Sequence, residues 1–175
     1  MMVTMDENVN GTWAQVENVL QRRFDLIPNL VNTVKGYAAH EKETLEGVIQ
    51  ARAEATKTTI NAGDLTPENM AAFQKAQSGL TGALSKLMVV VERYPELKAN
   101  QNFLELQSQL EGTENRINVA RDRFNAAINV YNKHIKTFPN KLLAGLFGFD
   151  DMSRYQADPG SEIAPDVEFD FGNKE

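Results

Sequence analysis

Few residues in this sequence have the types and spacing that chemistry needs. There are two histidines and no cysteine. A di-metal helical bundle uses Glu-x-x-His motifs, but tyrosine stands three residues before both His40 and His134. The His-Glu-x-x-His motif fails too, because Thr44 occupies the second histidine position. We therefore predict that both histidines are solvated helix residues and assign no metal, cofactor-binding or catalytic residues.

Carboxylates offer the other route to chemistry. Hydrolysis or group transfer would need a pair meeting inside the fold, and the candidates are Glu111 and Glu114 near Arg52. We expect such a meeting to be a salt bridge. The sequence contains no nucleophile elbow, phosphate-binding glycine loop or dinucleotide fingerprint. These observations predict a non-enzymatic protein that needs no cofactor.

The charge distribution argues against nucleic acid as a partner. Residues 1–149 carry 16 basic and 16 acidic residues, so the net charge of −6 lies entirely in residues 150–175. A neutral body with an acidic tail is not attracted to phosphates. No run of about 18 apolar residues is present to span a bilayer.

Any functional side chain must be positioned by helices, of which the longest is predicted over Phe103–Phe138. At about 1.5 Å per residue it spans roughly 54 Å and needs partner helices to cover its apolar stripe. The stripe repeats every three or four residues, as in packed helical bundles. Its positions are Phe103, Leu106, Leu110, Thr113, Ile117, Ala120, Phe124, Ile128, Tyr131, Ile135 and Phe138.

Two helices are predicted ahead of residue 62. The first runs from about Asp6 to about Arg23, where apolar residues again recur at helical spacing. Pro28 predicts a break or kink over Asp25–Pro28, with Asp25 capping the next helix. That second helix is expected to continue from Asn29 to about Asn61.

A third helix is predicted to begin at Thr66-Pro67-Glu68, which combines an N-cap hydroxyl with a proline in the first turn. Its apolar stripe continues until Pro95, which is expected to end it. The fold class is therefore all-α: an elongated antiparallel up-and-down bundle of three long helices plus an N-terminal helix, with a short C-terminal helical lid and an irregular acidic tail. We place the bundle at 1–150 and the tail, which includes an alternating Val167–Phe171 stretch, at 151–175.

Three features are not explained by the apolar stripes. Arg22–Leu30 crowds charged and apolar residues around Pro28; it is either a docking site or, as we favour, a buried ion pair and cap. The apolar Leu142–Phe149 segment either touches a membrane or partner or, as we favour, folds back as a lid. An amide-rich line along the long helix forms either a polar groove with inter-helix hydrogen bonds or an exposed flank, and consists of Asn118, Asp122, Asn125, Asn129 and Asn132.

Over residues 9–150 the sequence resembles the LemA family, and its acidic Pro-x-Val-x-Phe tail also fits. The resemblance rests on several motifs in consistent order: Arg22-Arg23-x-Asp25-Leu26-Ile27-Pro28-Asn29-Leu30-Val31, Val34-Lys35-Gly36-Tyr37, His40-Glu41-Lys42-Glu43, Ala51-Arg52, Tyr94-Pro95-x-Leu97-Lys98-Ala99, Asn102-Phe103-x-x-Leu106-Gln107, Leu110-Glu111-x-Thr113-Glu114-Asn115-Arg116-Ile117, Ala120-Arg121, Tyr131-Asn132 and Phe138-Pro139.

The resemblance implies a bacterial helical-bundle protein of the cell envelope, carrying one membrane-spanning helix ahead of the bundle, and it supplies no catalytic residues. We expect this sequence to start just after that anchor, so that the Asp6–Arg23 helix would continue it. The expected partners are the membrane, through the anchor, and another envelope protein, with the bundle itself monomeric. Residues 1–21 contain no Lys or Arg, which favours the extracytoplasmic side. The alternative function is ligand or metal binding in a polar groove along the long helix.

Overall fold

The computed structural model describes residues 1–156, and within that range the chain forms helices and no β-strand. The Val167–Phe171 stretch and the other tail residues beyond 156 lie outside the described residues. The helices are α1 (Met2–Tyr37), α2 (Lys42–Lys57), α3 (Pro67–Val91), α4 (Pro95–Lys98), α5 (Gln101–Lys136) and α6 (Asn140–Phe147), with one 3-10 turn at Ala62–Asp64.

The two longest helices, α1 and α5, have 36 residues each and pack antiparallel along their length. At one end Asn100, the N-cap of α5, donates a hydrogen bond to the Tyr37 hydroxyl at the end of α1. At the other end, Met1–Val3 and His134 line the same cavity. α2 and α3 complete the bundle, with the Tyr94 hydroxyl 3.2 Å from a Glu41 oxygen where α2 begins and α3 has ended. The predicted all-α up-and-down bundle is confirmed.

The predicted stripe of α5 forms one wall of the core. Nine of its eleven positions are buried, Leu106 is partly buried, and Phe138 is exposed. Trp13 lies at the centre of the core with its ring centroid 5.3 Å from that of Phe73 and 4.9 Å from that of Phe124. Its indole N–H donates to the Ile60 carbonyl at 3.0 Å, so this large side chain is buried with its polar atom satisfied.

The predicted break at Asp25–Pro28 is wrong, because α1 continues through Pro28 to Tyr37. Proline has no N–H to give to the carbonyl four residues earlier, which is that of Phe24. Arg52 of α2 supplies the missing donor, since its Nε lies 2.8 Å from the Phe24 oxygen. Asp25 is not a cap; it is exposed and accepts a hydrogen bond from the Gln21 amide at 2.9 Å.

The predicted helix over Asn29–Asn61 is also wrong in its bounds, because the chain reverses over residues 38–41. There the Ala38 N–H still donates to Val34, whereas the Glu41 N–H donates to Ala38 in a turn. Ala38 is fully buried, so this reversal is fixed by packing rather than by a glycine or proline that the sequence would show. α2 then ends at Lys57, four residues before the predicted stop.

The start of α3 is confirmed, with the Thr66 hydroxyl accepting from the Asn69 N–H at 3.3 Å and Pro67 in the first turn. Its end is four residues earlier than expected. Pro95 does not follow α3 directly but begins the one-turn helix α4, after the Tyr94 backbone has left the helical region (φ −121°, ψ 85°). This fits the rule that a residue before proline leaves the helical region.

Candidate functional site

The structure pairs one of the two candidate carboxylates with an arginine other than Arg52. Glu114 pairs instead with Arg23, whose Nε lies 3.0 Å from Oε1, while Arg52 is engaged with the Phe24 carbonyl. Arg23 is only 3% exposed and also donates from Nη2 to the Thr81 hydroxyl at 2.7 Å. The guanidinium thus joins α1, α3 and α5. The favoured interpretation of the Arg22–Leu30 stretch, a buried ion pair with a cap, is correct only in part, because Arg23 is buried but the Glu114 side chain is 39% exposed and no cap forms.

The two histidines lie in different environments. His40 is exposed in the turn between α1 and α2, so its predicted place on a helix is wrong. His134 is half-buried in the last turn of α5, with Nε2 3.3 Å from the Asn140 amide nitrogen. Among residues 1–156, no three His, Asp or Glu side chains group closely enough to hold a metal ion.

The amide-rich line of α5 is divided between the two predicted roles. Asn118, Asp122 and Asn129 are exposed, whereas Asn125 and Asn132 hold the chain segment that follows α6. We refer to that segment, residues 150–156, as the strap, and to the two asparagines as the amide clamp. The line is therefore a flank at three positions and a binding surface at two.

Each asparagine of the amide clamp makes a pair of hydrogen bonds to one strap residue. Asn132 donates to the Met152 carbonyl at 2.9 Å and accepts from the Met152 N–H at 3.0 Å. Asn125 donates to the Tyr155 carbonyl at 2.7 Å and accepts from the Tyr155 N–H at 2.8 Å. The seven-residue spacing keeps both amides on one face of α5, where they pair with residues three apart in an extended chain.

The strap is anchored at its end by the Tyr155 ring, which is 7% exposed. Phe73 of α3 meets it edge-on with ring centroids 5.5 Å apart, and the Arg121 guanidinium carbon lies 5.7 Å from its centroid. Both arrangements are favourable for an aromatic ring. The sequence predicted neither contact, because nothing in the strap's composition identifies a partner so distant along the chain.

Beside the strap lies an acidic cavity of about 540 Å³. Asp6 of α1 and the strap residues Asp150 and Asp151 line it together with Tyr131. Burial raises the pKa of the Tyr131 hydroxyl above its ordinary value of 10, and the nearby negative charges of the three aspartates raise it further. The uncharged phenol is therefore the form that this environment favours.

The end of the bundle where α1 begins carries a second surface, which we call the apolar end. α6 lies there as predicted, but within it only Ala144 is buried, and the large side chains point outward. Exposure reaches 77% for Leu146 and 79% for Phe138. The members of the apolar end are Met1, Val3, Phe138, Leu142, Leu143, Leu146 and Phe147. No helix within residues 1–156 has a segment that meets the length and hydropathy needed to cross a bilayer.

Comparison with known proteins identifies relatives along most of the chain. The chain is 28% identical to magnetosome protein MamQ 1 of Paramagnetospirillum magneticum, over 91% of this chain and 65% of that protein. It is 29% identical to MamQ of Magnetospirillum gryphiswaldense, over 94% and 68%, and 23% identical to protein LemA of Metamycoplasma hominis, over 87% and 66%. The chain thus spans about two thirds of the length of these curated relatives. Because the LemA family profile matches residues 12–169, the chain belongs to the LemA family.

Proposed function

We propose that this chain is the non-enzymatic helical-bundle module of a membrane-tethered protein of the bacterial cell envelope, and that it serves as a scaffold that engages another protein. The observation that carries the proposal is the apolar end. Large apolar residues at the start of the chain and along α6 are exposed, and four of them, Met1, Val3, Leu143 and Phe147, line one cavity. A patch of this kind marks a surface that water does not normally cover.

The position of the apolar end fits a tether. It surrounds the start of α1, where the membrane helix implied by the LemA resemblance would enter. α6 would lie flat in the interface, with Leu142, Leu146 and Phe147 among the acyl chains and Lys141 at the headgroups. The bundle would then stand on the membrane, on the extracytoplasmic side, and present its distant surfaces to a partner.

The ligand-binding alternative receives less support. The polar line on α5 that would form its groove is occupied at Asn125 and Asn132 by the chain's own strap.

Vesicle flotation tests the proposal. We expect this chain to float with zwitterionic phosphatidylcholine vesicles, which do not repel its net negative charge. The triple change Leu142→Ser, Leu146→Ser, Phe147→Ser should weaken binding by about tenfold per residue, because each buried apolar side chain contributes roughly 1.5 kcal/mol. The matched control changes Ile49→Ser and Val89→Ser, which are exposed on α2 and α3. Equal binding by both variants would exclude the apolar end as the membrane contact.

A second experiment tests the scaffold role. Crosslinking in cells that produce the full tethered protein should recover the same envelope protein repeatedly. Repeated recovery of no partner would count against the scaffold role while leaving membrane contact intact.

A further inference from the structure

The strap is recognised mainly through its backbone. Six hydrogen bonds join backbone atoms of residues 152–155 to the bundle. Four come from the amide clamp, one runs from the Ser153 N–H to the Leu65 carbonyl at 3.4 Å, and one runs from the Gln74 amide to the Arg154 carbonyl at 3.4 Å. A site that binds backbone atoms accepts many sequences, as in the addition of an extended peptide to a sheet edge.

Strap side chains contact the bundle at three positions: the buried Tyr155, the partly buried Met152 and the exposed Asp151. Tyr155 is its one buried side chain, held between Phe73 and Arg121. At the other end, Asp151 forms an exposed ion pair with Lys136, with Nζ and Oδ2 2.6 Å apart. The groove therefore fits an aromatic residue, and Lys136 at its rim favours, by a small margin, an acidic residue four positions earlier.

The strap can leave this groove without unfolding a helix. It follows α6 through Gly148, whose left-handed backbone (φ 73°) ends that helix. The α1–α5 and α2–α3 packing does not pass through the strap. The groove floor is built from side chains of α3 and α5, among them Phe73, Arg121, Asn125 and Asn132.

We propose that this groove is a peptide-binding site for an extended segment of a partner protein carrying an aromatic residue, with an acidic residue four positions before it. The chain's own strap occupies the site in cis and competes with that partner. This inference rests on the proposed scaffold role and names the chemistry of the protein that the scaffold engages. Its site is separate from the apolar end, so membrane binding and peptide binding can fail independently.

The test uses the full chain and a fluorescent peptide of residues 149–156 as the probe. Tyr155→Ala in the chain removes the strap's anchor, and we expect the peptide to bind this variant about tenfold more tightly than it binds the unchanged chain. Adding Asn125→Ala and Asn132→Ala should weaken binding about 100-fold, since each paired amide contact contributes about tenfold. The matched control adds Asn118→Ala and Asn129→Ala, which lie on the same line outside the strap contacts, and should leave binding unchanged.

A folded Tyr155→Ala chain that binds no peptide would overturn the proposal, as would equal losses from the two asparagine pairs. If Tyr155→Ala does not fold, hydrogen exchange on the unchanged chain gives the same answer. Excess peptide should speed exchange of the Met152 and Tyr155 amides and leave α5 amides unchanged; no change would refute the site. Concentration-dependent dimerisation that needs Asn125 and Asn132 would replace the partner protein with the strap of a second copy.

Discussion

We predict that the hydrogen bond from Arg52 to the Phe24 carbonyl offsets the destabilising effect of Pro28 inside α1. Phe24 is 4% exposed, and Pro28 leaves its carbonyl without the usual intrahelical donor. A buried carbonyl without a partner costs about 1 to 3 kcal/mol, and a hydrogen bond from a charged donor contributes about 1.5 to 3 kcal/mol. Because Arg52 is only half-buried, we expect Arg52→Met, which keeps the aliphatic stem, to cost about 1.5 kcal/mol.

The second half of the prediction restores the missing donor. Pro28→Ala gives residue 28 an N–H that can reach the Phe24 carbonyl, and it replaces the worst helix former by the best. We expect Pro28→Ala alone to stabilise the chain by about 1 kcal/mol. In that background Arg52→Met should cost only about 0.5 kcal/mol, the packing share, so the coupling between the two changes is about 1 kcal/mol.

The assay is urea unfolding of the four chains followed by circular dichroism, with Arg22→Met as the control. Arg22 is an exposed arginine on α1, and its replacement should change the free energy of unfolding by less than about 0.5 kcal/mol. The reasoning is refuted if Arg52→Met costs the same with proline or alanine at position 28. In that case the hydrogen bond would be incidental to the proline.

Three further predictions follow from single positions. Gly79→Ala and Gly82→Ala in α3 should each raise the free energy of unfolding by about 0.5 to 1 kcal/mol, because a methyl group at either position meets no atom within 4 Å. Thermal melting measures this change, and destabilisation would show that a neighbouring helix approaches α3 too closely for a methyl group. Asp25→Ala should change stability by less than about 0.5 kcal/mol in the same assay, whereas a loss of about 1 kcal/mol would restore the cap interpretation. Asp6→Asn should lower the raised pKa of Tyr131, observed by spectrophotometric titration. Because the folded-state pKa is the higher one, the stability gained from neutral Tyr131 should be complete below pH 10 and lost as pH rises through the folded-state pKa; an unchanged titration would place Asp6 outside its influence.

How far the sequence predicts this fold depends on whether a feature is periodic. The α5 stripe and the start of α3 follow from local spacing and capping, so the sequence was sufficient for both. The helix break predicted at Pro28 is wrong because Arg52 donates to the Phe24 carbonyl that proline leaves without a partner. Arg52 lies 24 residues from Pro28, and no local rule connects the two. The reversal at residues 38–41 was missed for a similar reason, since burial of Ala38 replaces the usual turn residues.

The asparagines of the candidate site also show that local spacing does not identify contacts with distant parts of the chain. Asparagine is a modest helix former, so the amide line on α5 indicated that something other than helix stability is at work. Its spacing could not separate Asn125 and Asn132, which bind the strap, from Asn118 and Asn129, which do not, because all four share one helical face. What separates them is where an irregular segment crosses α5, and that crossing depends on Tyr155 finding a pocket built by Phe73 and Arg121.

The two surfaces for which we propose partners, the apolar end and the groove under the strap, place different demands on the sequence. The apolar end needs only bulk hydrophobicity at α6, so substitutions among Leu, Phe and Met should preserve it. The groove needs exact geometry at Asn125 and Asn132, because an amide that donates and accepts toward one residue cannot be replaced even by aspartate, which only accepts. Asn132→Ala removes both the acceptor of the Met152 N–H and the donor to the Met152 carbonyl, and it should leave vesicle flotation unchanged. Faster hydrogen exchange at Met152 without any change in flotation is the expected signature of two independent surfaces, and a joint change in both would show that the strap and α6 act as one unit.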